Sequence, residues 1–251
     1  RIANAAVYDP ASGINGEVQD ICIQDGRIAP SCDGPAFDAR GMAAFAGGID
    51  PHAHVAGAPL PLARAQNIYP VPTPHDLGRG YLAMGYTLAV NAATSAAFTA
   101  QTLLEERAIP SLDTLNLVLA QDPPEAQTAP GDDNYLSSLL LRGAGYGVKS
   151  VCPRGGPKVT ARLAAACARL KLPHPLHLHH GGLGEADAYK GIGDTLARLE
   201  GTKLHLAHLQ FYAYGEGMRS AAEPILRLLE QHPHVTADAG LVYFSHALAT
   251  T

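Results

Sequence analysis

The histidines are the residues most able to do chemistry here. There are 12 of them in 251 residues, and several lie at spacings that let imidazoles converge. The segment Asp50-Pro51-His52-Ala53-His54 ends an apolar run. In an extended strand alternate residues share a face, so Asp50, His52 and His54 look the same way. Two imidazoles at that spacing can chelate one divalent cation. A pair of loop histidines satisfied by hydrogen bonds leaves the same pattern. In Leu176-His177-Leu178-His179-His180, His177 and His179 share a face and His180 turns away. His179, nearer the C-terminal end, is the ligand candidate. His177 lies one layer deeper, as a core group or a support behind the ligands. In Lys203-Leu204-His205-Leu206-Ala207-His208, strict alternation groups His208 with Leu204 and Leu206. His208 is then the ligand candidate, and His205 is expected to pack toward surrounding helices.

Lys149 is one of only five lysines and sits mid-strand in Tyr146-Gly147-Val148-Lys149-Ser150-Val151. An unpaired buried ammonium is costly. Either the side chain reaches to the strand end, or its pKa is depressed and the amine condenses with carbon dioxide. The resulting carbamate can bridge two metals. Asp238 is a candidate substrate contact or supporting group, or simple strand polarity. His75 opens a helix; His174, His232 and His234 flank prolines in loops; His246 lies near the end.

These residues need a scaffold that brings distant segments to one rim. The first 45 residues alternate apolar and polar positions around Asp-Gly and Pro turn signals, which predicts a small antiparallel β unit. From residue 46 to 251 the pattern becomes strand–helix–strand. His52, Asn91, Val118, Lys149, Leu178, His208 and Asp238 mark seven predicted strands at a step of about 30 residues. That regularity predicts an α/β fold, a (β/α)8 TIM-type barrel, more than an open doubly wound sheet. The eighth strand is expected near residue ~268, past the end of this sequence, so a segment of a longer protein is expected. In such barrels the C-terminal strand ends carry the chemistry, and the candidates fall there.

The composition narrows the class. Apolar residues make 47% and charged residues 16%, ordinary for a globular chain. A net charge of -5 argues against general nucleic-acid binding. No apolar run is long enough to span a membrane and no leader pattern is visible, so a cytoplasmic location without membrane partners is expected. The four cysteines form no CxxC pair, and reduced thiols are expected.

The combination of His52, His54, Lys149, His179 and His208 resembles the amidohydrolase superfamily. Within it, GGIDPHAHVAG, HPLHLHHGGLG and AHLQFYAYG resemble the A subunits of formylmethanofuran dehydrogenase and of the formyltransferase/hydrolase complex, over nearly the whole chain. The resemblance implies two zinc ions. His52 and His54 hold one, carboxylated Lys149 (with CO2 as its source) bridges both, and His179 and His208 hold the second. Gln210, Tyr212 and Tyr214, with Asp50, His177 and Asp238, are candidates for contact with substrate or for support behind the ligands. The resemblance also implies a proton-shuttling Asp on strand eight, a methanofuran-type substrate and the other subunits of a complex as partners. The implied reaction is hydrolysis of a formamide C–N bond, or its reverse, in one-carbon metabolism. Two departures bear on substrate contacts more than on metal binding. His180, Gly181 and Gly182 stand where Asn is usual, and Asn91 and Ala92 stand where an acidic residue is usual. The Ala-rich, Lys-poor composition favours the bacterial hydrolase complex over the archaeal dehydrogenase. Other readings stay open: a cyclic-amide hydrolase of the dihydroorotase or hydantoinase type, which shares every ligand, or an inactive barrel serving as a scaffold.

Overall fold

A computed structural model describes residues 1–57, 72–124, 128–153, 156–199 and 201–240. The chain divides into two compact units, Arg1–Gly48 and Ile49–Thr251. In the first, β1 (Ile2–Asp9) pairs antiparallel with β2 (Ile14–Gln24). β2 turns into β3 (Arg27–Ala29) across Asp25-Gly26. Both turn residues have positive φ, 52° and 73°, which the tight hairpin requires and Asp-Gly supplies. Short β4 (Phe37–Asp38) and β5 (Ala43–Phe45) run parallel to β1. Ala5, Val7 and Ala39 form a small core.

The second unit is a seven-stranded sheet whose strands lie in chain order. They are β6 (Gly48–Ala53), β7 (Tyr86–Thr94), β8 (Asp113–Ala120), β9 (Gly145–Val151), β10 (Leu176–His179), β11 (Leu204–Leu206) and β12 (Val235–Ala237). β7 to β12 pair in parallel. Between them run α1 (Pro74–Ala83), α2 (Thr99–Arg107), α3 (Ala129–Gly143), α4 (Pro157–Arg169), α5 (Ala188–Arg198) and α6 (Ala222–Gln231). Helix α1 starts where Thr73 accepts the Asp76 N–H at 3.2 Å and Pro74 pre-sets the first turn.

The core lies on the helix-facing side of the sheet. Val118, Val148, Leu176, Leu178, Leu204 and Leu206 are buried there with Leu136, Leu163, Ile192, Leu196 and Ile225 of α3 to α6. The sheet is strongly curled. A flat sheet would separate β6 from β12 by about 29 Å at the usual strand spacing, yet His52 Nδ1 lies 3.5 Å from Asp238 Oδ2. The result is a half-barrel of seven strands.

Two expectations change here. β11 is only three residues long, and His208 lies beyond it in a left-handed conformation with φ 40°. A short 3-10 helix, Leu209–Tyr212, follows. Likewise β12 stops at Ala237, so Asp238 lies just past a strand end. His208 and Asp238 lie just past their strands, at the rim.

Candidate metal centre

Register builds the inner layer. Lys149, His177 and His205 are neighbours across β9, β10 and β11, so three adjacent strands deliver one ammonium and two imidazoles to the same level. The His177 and His205 rings stack at 4.5 Å. His205 therefore faces inward, which corrects the expectation that it packs toward the helices. The reason is its register with His177. Strict alternation would then send His208 outward, but its left-handed backbone turns it back, and its ring lies 5.0 Å from that of His52.

The five residues anticipated as ligands converge. Lys149, only 2% exposed, places Nζ 3.0 Å from His52 Nε2. The His52 and His54 rings are 5.4 Å apart. His208 Nε2 lies 3.0 Å from His179 Nδ1. Beneath them, His52 Nδ1 is 2.9 Å from His177 Nε2, and His177 Nδ1 is 3.2 Å from His174 Nε2. His52, His177 and Asp238 each offer a donor atom within 4.8 Å of the others. Asp238 also accepts from His205 Nε2 at 2.9 Å and from the His208 amide at 2.6 Å.

Electrostatics keeps this cluster in the state a cation needs, since ligands must carry free lone pairs. Burial, reinforced by the Lys149 charge, pushes His54 down to about 3. Burial, with neighbouring cationic groups, takes His179 to about 4 and His208 to about 3. It lowers His52 and His177 as well. Lys149 falls to about 8 through burial, against the pull of Asp238, which raises the fraction of free amine able to take up carbon dioxide. Burial alone would raise Asp238. Hydrogen bonds from His205, His52 and the His208 amide instead hold it well below the usual carboxylate range. The fit to a divalent cation is chemical: neutral imidazoles suit zinc and similar ions, as do carboxylate-type oxygens such as a lysine carbamate would offer. It is also visible in one atom, because the buried His208 Nδ1 has no hydrogen-bond partner among the described residues.

The other candidates separate. Asp50 accepts from Tyr81 Oη at 2.6 Å and from the His52 amide at 3.0 Å, so its carboxylate braces β6 against α1. Tyr212 is buried, donates to the His180 carbonyl at 2.7 Å and stacks on His208; it props that ring. Gln210 Oε1 is buried without a partner among the described residues, and the Tyr214 carbonyl accepts the Asp187 amide. His180 faces away and bonds Thr195 Oγ1 and the Gly181 carbonyl. Asn91, where an acidic residue was expected, ties the backbone at Val55 and Ala56 to Asn116 and Glu106. His75 lies in the first turn of α1. His246 lies outside the described residues. Reading alternation alone missed His174 and His205 as members of the cluster; the register of β9 to β11 is the signal that finds His205, while His174 lies just before β10.

No family model matches the chain. It is 32% identical to the A subunit of the formyltransferase/hydrolase complex Fhc of Methylorubrum extorquens, covering 99% of this chain and 56% of that protein. It is 28% identical to protein FwdA of Methanocaldococcus jannaschii, covering 100% of this chain and 55% of that one. Among solved structures, it matches a chain of the formyltransferase/hydrolase complex FhcABCD from Methylorubrum extorquens, determined with methylofuran. The TM-score is 0.86 at 30% identity, over 97% of this chain and 55% of that chain. The chain spans a little over half the length of these relatives. Over essentially its whole length it is a homologue of that part of the Fhc A subunit and of FwdA, and it shares the fold of its counterpart in the complex.

Proposed function

We propose that this chain carries the metal centre of a formyltransferase/hydrolase-type A subunit. The reaction is hydrolysis of an N-formylmethanofuran-type formamide to formate and the free amine, or the reverse condensation. The centre would sit in a (β/α)8 barrel, with other subunits of the complex as partners. The single observation that carries the reading is the convergence of His52, His54, Lys149, His179 and His208 from four strands on one rim.

Two zinc ions held there would polarise the formyl carbonyl and lower the pKa of water. The chain's residues do the rest. His52 and His54 would hold one ion, and His179 and His208 the other. The free-amine form of Lys149, favoured by burial, would add to carbon dioxide and release a proton to solvent, and the carbamate oxygens would supply negative charge to the ions. Tyr212 and Asp238 fix His208, the one from beside its ring and the other from its amide. The resemblance implies a proton-accepting carboxylate on an eighth strand, which would take the attacking water's proton and pass it to the leaving amine.

The test uses the full-length protein. Two zinc ions per chain, with formate released from an N-formylmethanofuran analogue, are the expected result. Hydrolysis of dihydroorotate or hydantoin, with none of formamides, would replace this reading by a cyclic-amide hydrolase. Zinc without any hydrolysis, in the assembled complex, would make the chain a scaffold.

A further inference from the structure

We infer that Asp238 is a positioning residue: its carboxylate sets which nitrogen of His52 and which backbone conformation of His208 face the centre. The inference rests on the metal reading above and goes past its ligand set.

Asp238 follows β12 and is knitted to β11 on both sides. Its amide donates to the Leu206 carbonyl at 3.1 Å, and its carbonyl accepts the Leu209 amide at 2.8 Å. Its side chain is only 10% exposed. Oδ1 accepts the His208 amide, which pins a non-glycine residue in the left-handed region, where few side chains sit without support. That conformation is what aims the His208 ring at His179 and His52.

Oδ2 does a second task. An ionised carboxylate only accepts, so His205 Nε2 at 2.9 Å carries the proton. His205 Nδ1 then accepts from Thr236 Oγ1, also at 2.9 Å. The same Oδ2 lies 3.5 Å from His52 Nδ1, which favours the proton on that nitrogen. His52 Nε2 is thereby left as a bare lone pair on the side of Lys149. His177 Nε2 accepts from His52, and His177 Nδ1 donates to His174. One carboxylate thus fixes the tautomers of four imidazoles. It also decides between two ways of using His52, His177 and Asp238. Although their atoms lie within 4.8 Å of one another, both nitrogens of His177 are engaged by neighbouring imidazoles and both oxygens of Asp238 already accept hydrogen bonds. His177 and Asp238 would then form the layer that supports the ligands.

The experiment compares the full-length protein with Asp238→Asn and Thr236→Val. Zinc stoichiometry is read by elemental analysis, affinity by competition with a chelator, and ring tautomers by 15N-histidine NMR of the metal-free protein. Asp238→Asn should keep the zinc count and bind about 10- to 100-fold more weakly, the usual cost of losing a group that orients a ligand. Its His52 and His205 signals should shift from single tautomers to mixtures. Thr236→Val, which keeps side-chain volume, should change the His205 signal with a smaller loss of affinity. Two results overturn the inference. Loss of one zinc equivalent in Asp238→Asn would make Asp238 a ligand, and an unchanged His52 tautomer with unchanged affinity would leave it no positioning role. If the wild-type protein takes up no zinc, the metal reading falls, and the tautomer signals alone decide the role of Asp238.

Discussion

Strands β9, β10 and β11 each present two faces with opposite chemistry. One face carries Val148, Leu176, Leu178, Leu204 and Leu206, buried against helices. The other carries Lys149, His177 and His205, equally buried. The backbone is shared and only the parity differs. The helix side stabilises by removing apolar surface, at about 25 cal/mol per Å2. The inner side works against folding, since each polar group there needs a partner to offset its desolvation. The fold draws stability from one face to hold reactive groups on the other.

The largest separation of the two faces should come from Lys149→Met. It removes the proposed bridge and should abolish both two-zinc loading and hydrolysis in the full-length protein. Because it also removes a buried cation, the metal-free variant should melt no lower than the parent. Retention of two zinc ions would break the assignment of Lys149, and a large drop in melting temperature would break the contrast itself.

Acid should act on the inner face alone. An unfolded histidine binds its proton at about 6.5. In the folded chain burial lowers His174 and His179 to about 4, and His54 and His208 to about 3. The unfolded state therefore takes up more protons below pH ~6.5, and stability must fall with pH there. The contribution is fully present above ~6.5 and is lost as pH drops toward 4 and 3. Denaturant midpoints of the metal-free protein at pH 7.5, 6.5 and 5.5 should stay level over the first step and drop over the second. A flat profile would mean the imidazoles are not buried neutral.

Leu178→Ala tests the other face. It should cost about 2–5 kcal/mol, the range for a buried leucine replaced by alanine, at every pH. Zinc stoichiometry should be unchanged, since Leu178 points at α4 and α5 while its neighbours His177 and His179 point inward. A changed zinc count would show that the two faces are coupled.

Much of this was legible in the sequence because alternation and a 30-residue step are strong signals. The predicted strand marked by Asn91 is β7, Tyr86–Thr94. The five ligand candidates were all named from spacing and family resemblance. What alternation could not supply was the end of a strand. β11 stops at Leu206, and a left-handed His208 reverses the parity rule. That conformation depends on the Asp238 carboxylate, 30 residues away in the chain. His205 was misplaced for the related reason that facing is set by register with β10 and not by its own segment.

β6 marks the limit of the same rule and carries the smallest prediction. Alternation put Asp50, His52 and His54 on one face, yet Asp50 gives its carboxylate to Tyr81 Oη and to the His52 amide. Tyr81→Phe removes one hydrogen bond to a charged group, worth about 1.5–3 kcal/mol when buried and less where the partners are half-exposed, so a loss near 1 kcal/mol is expected. The zinc count should stay the same, because the His52 amide still holds Asp50 in place. If zinc affinity instead fell as far as in Asp238→Asn, Asp50 would belong to the metal-supporting layer. The half-barrel would then position its first strand's ligands from α1 as well as from β12.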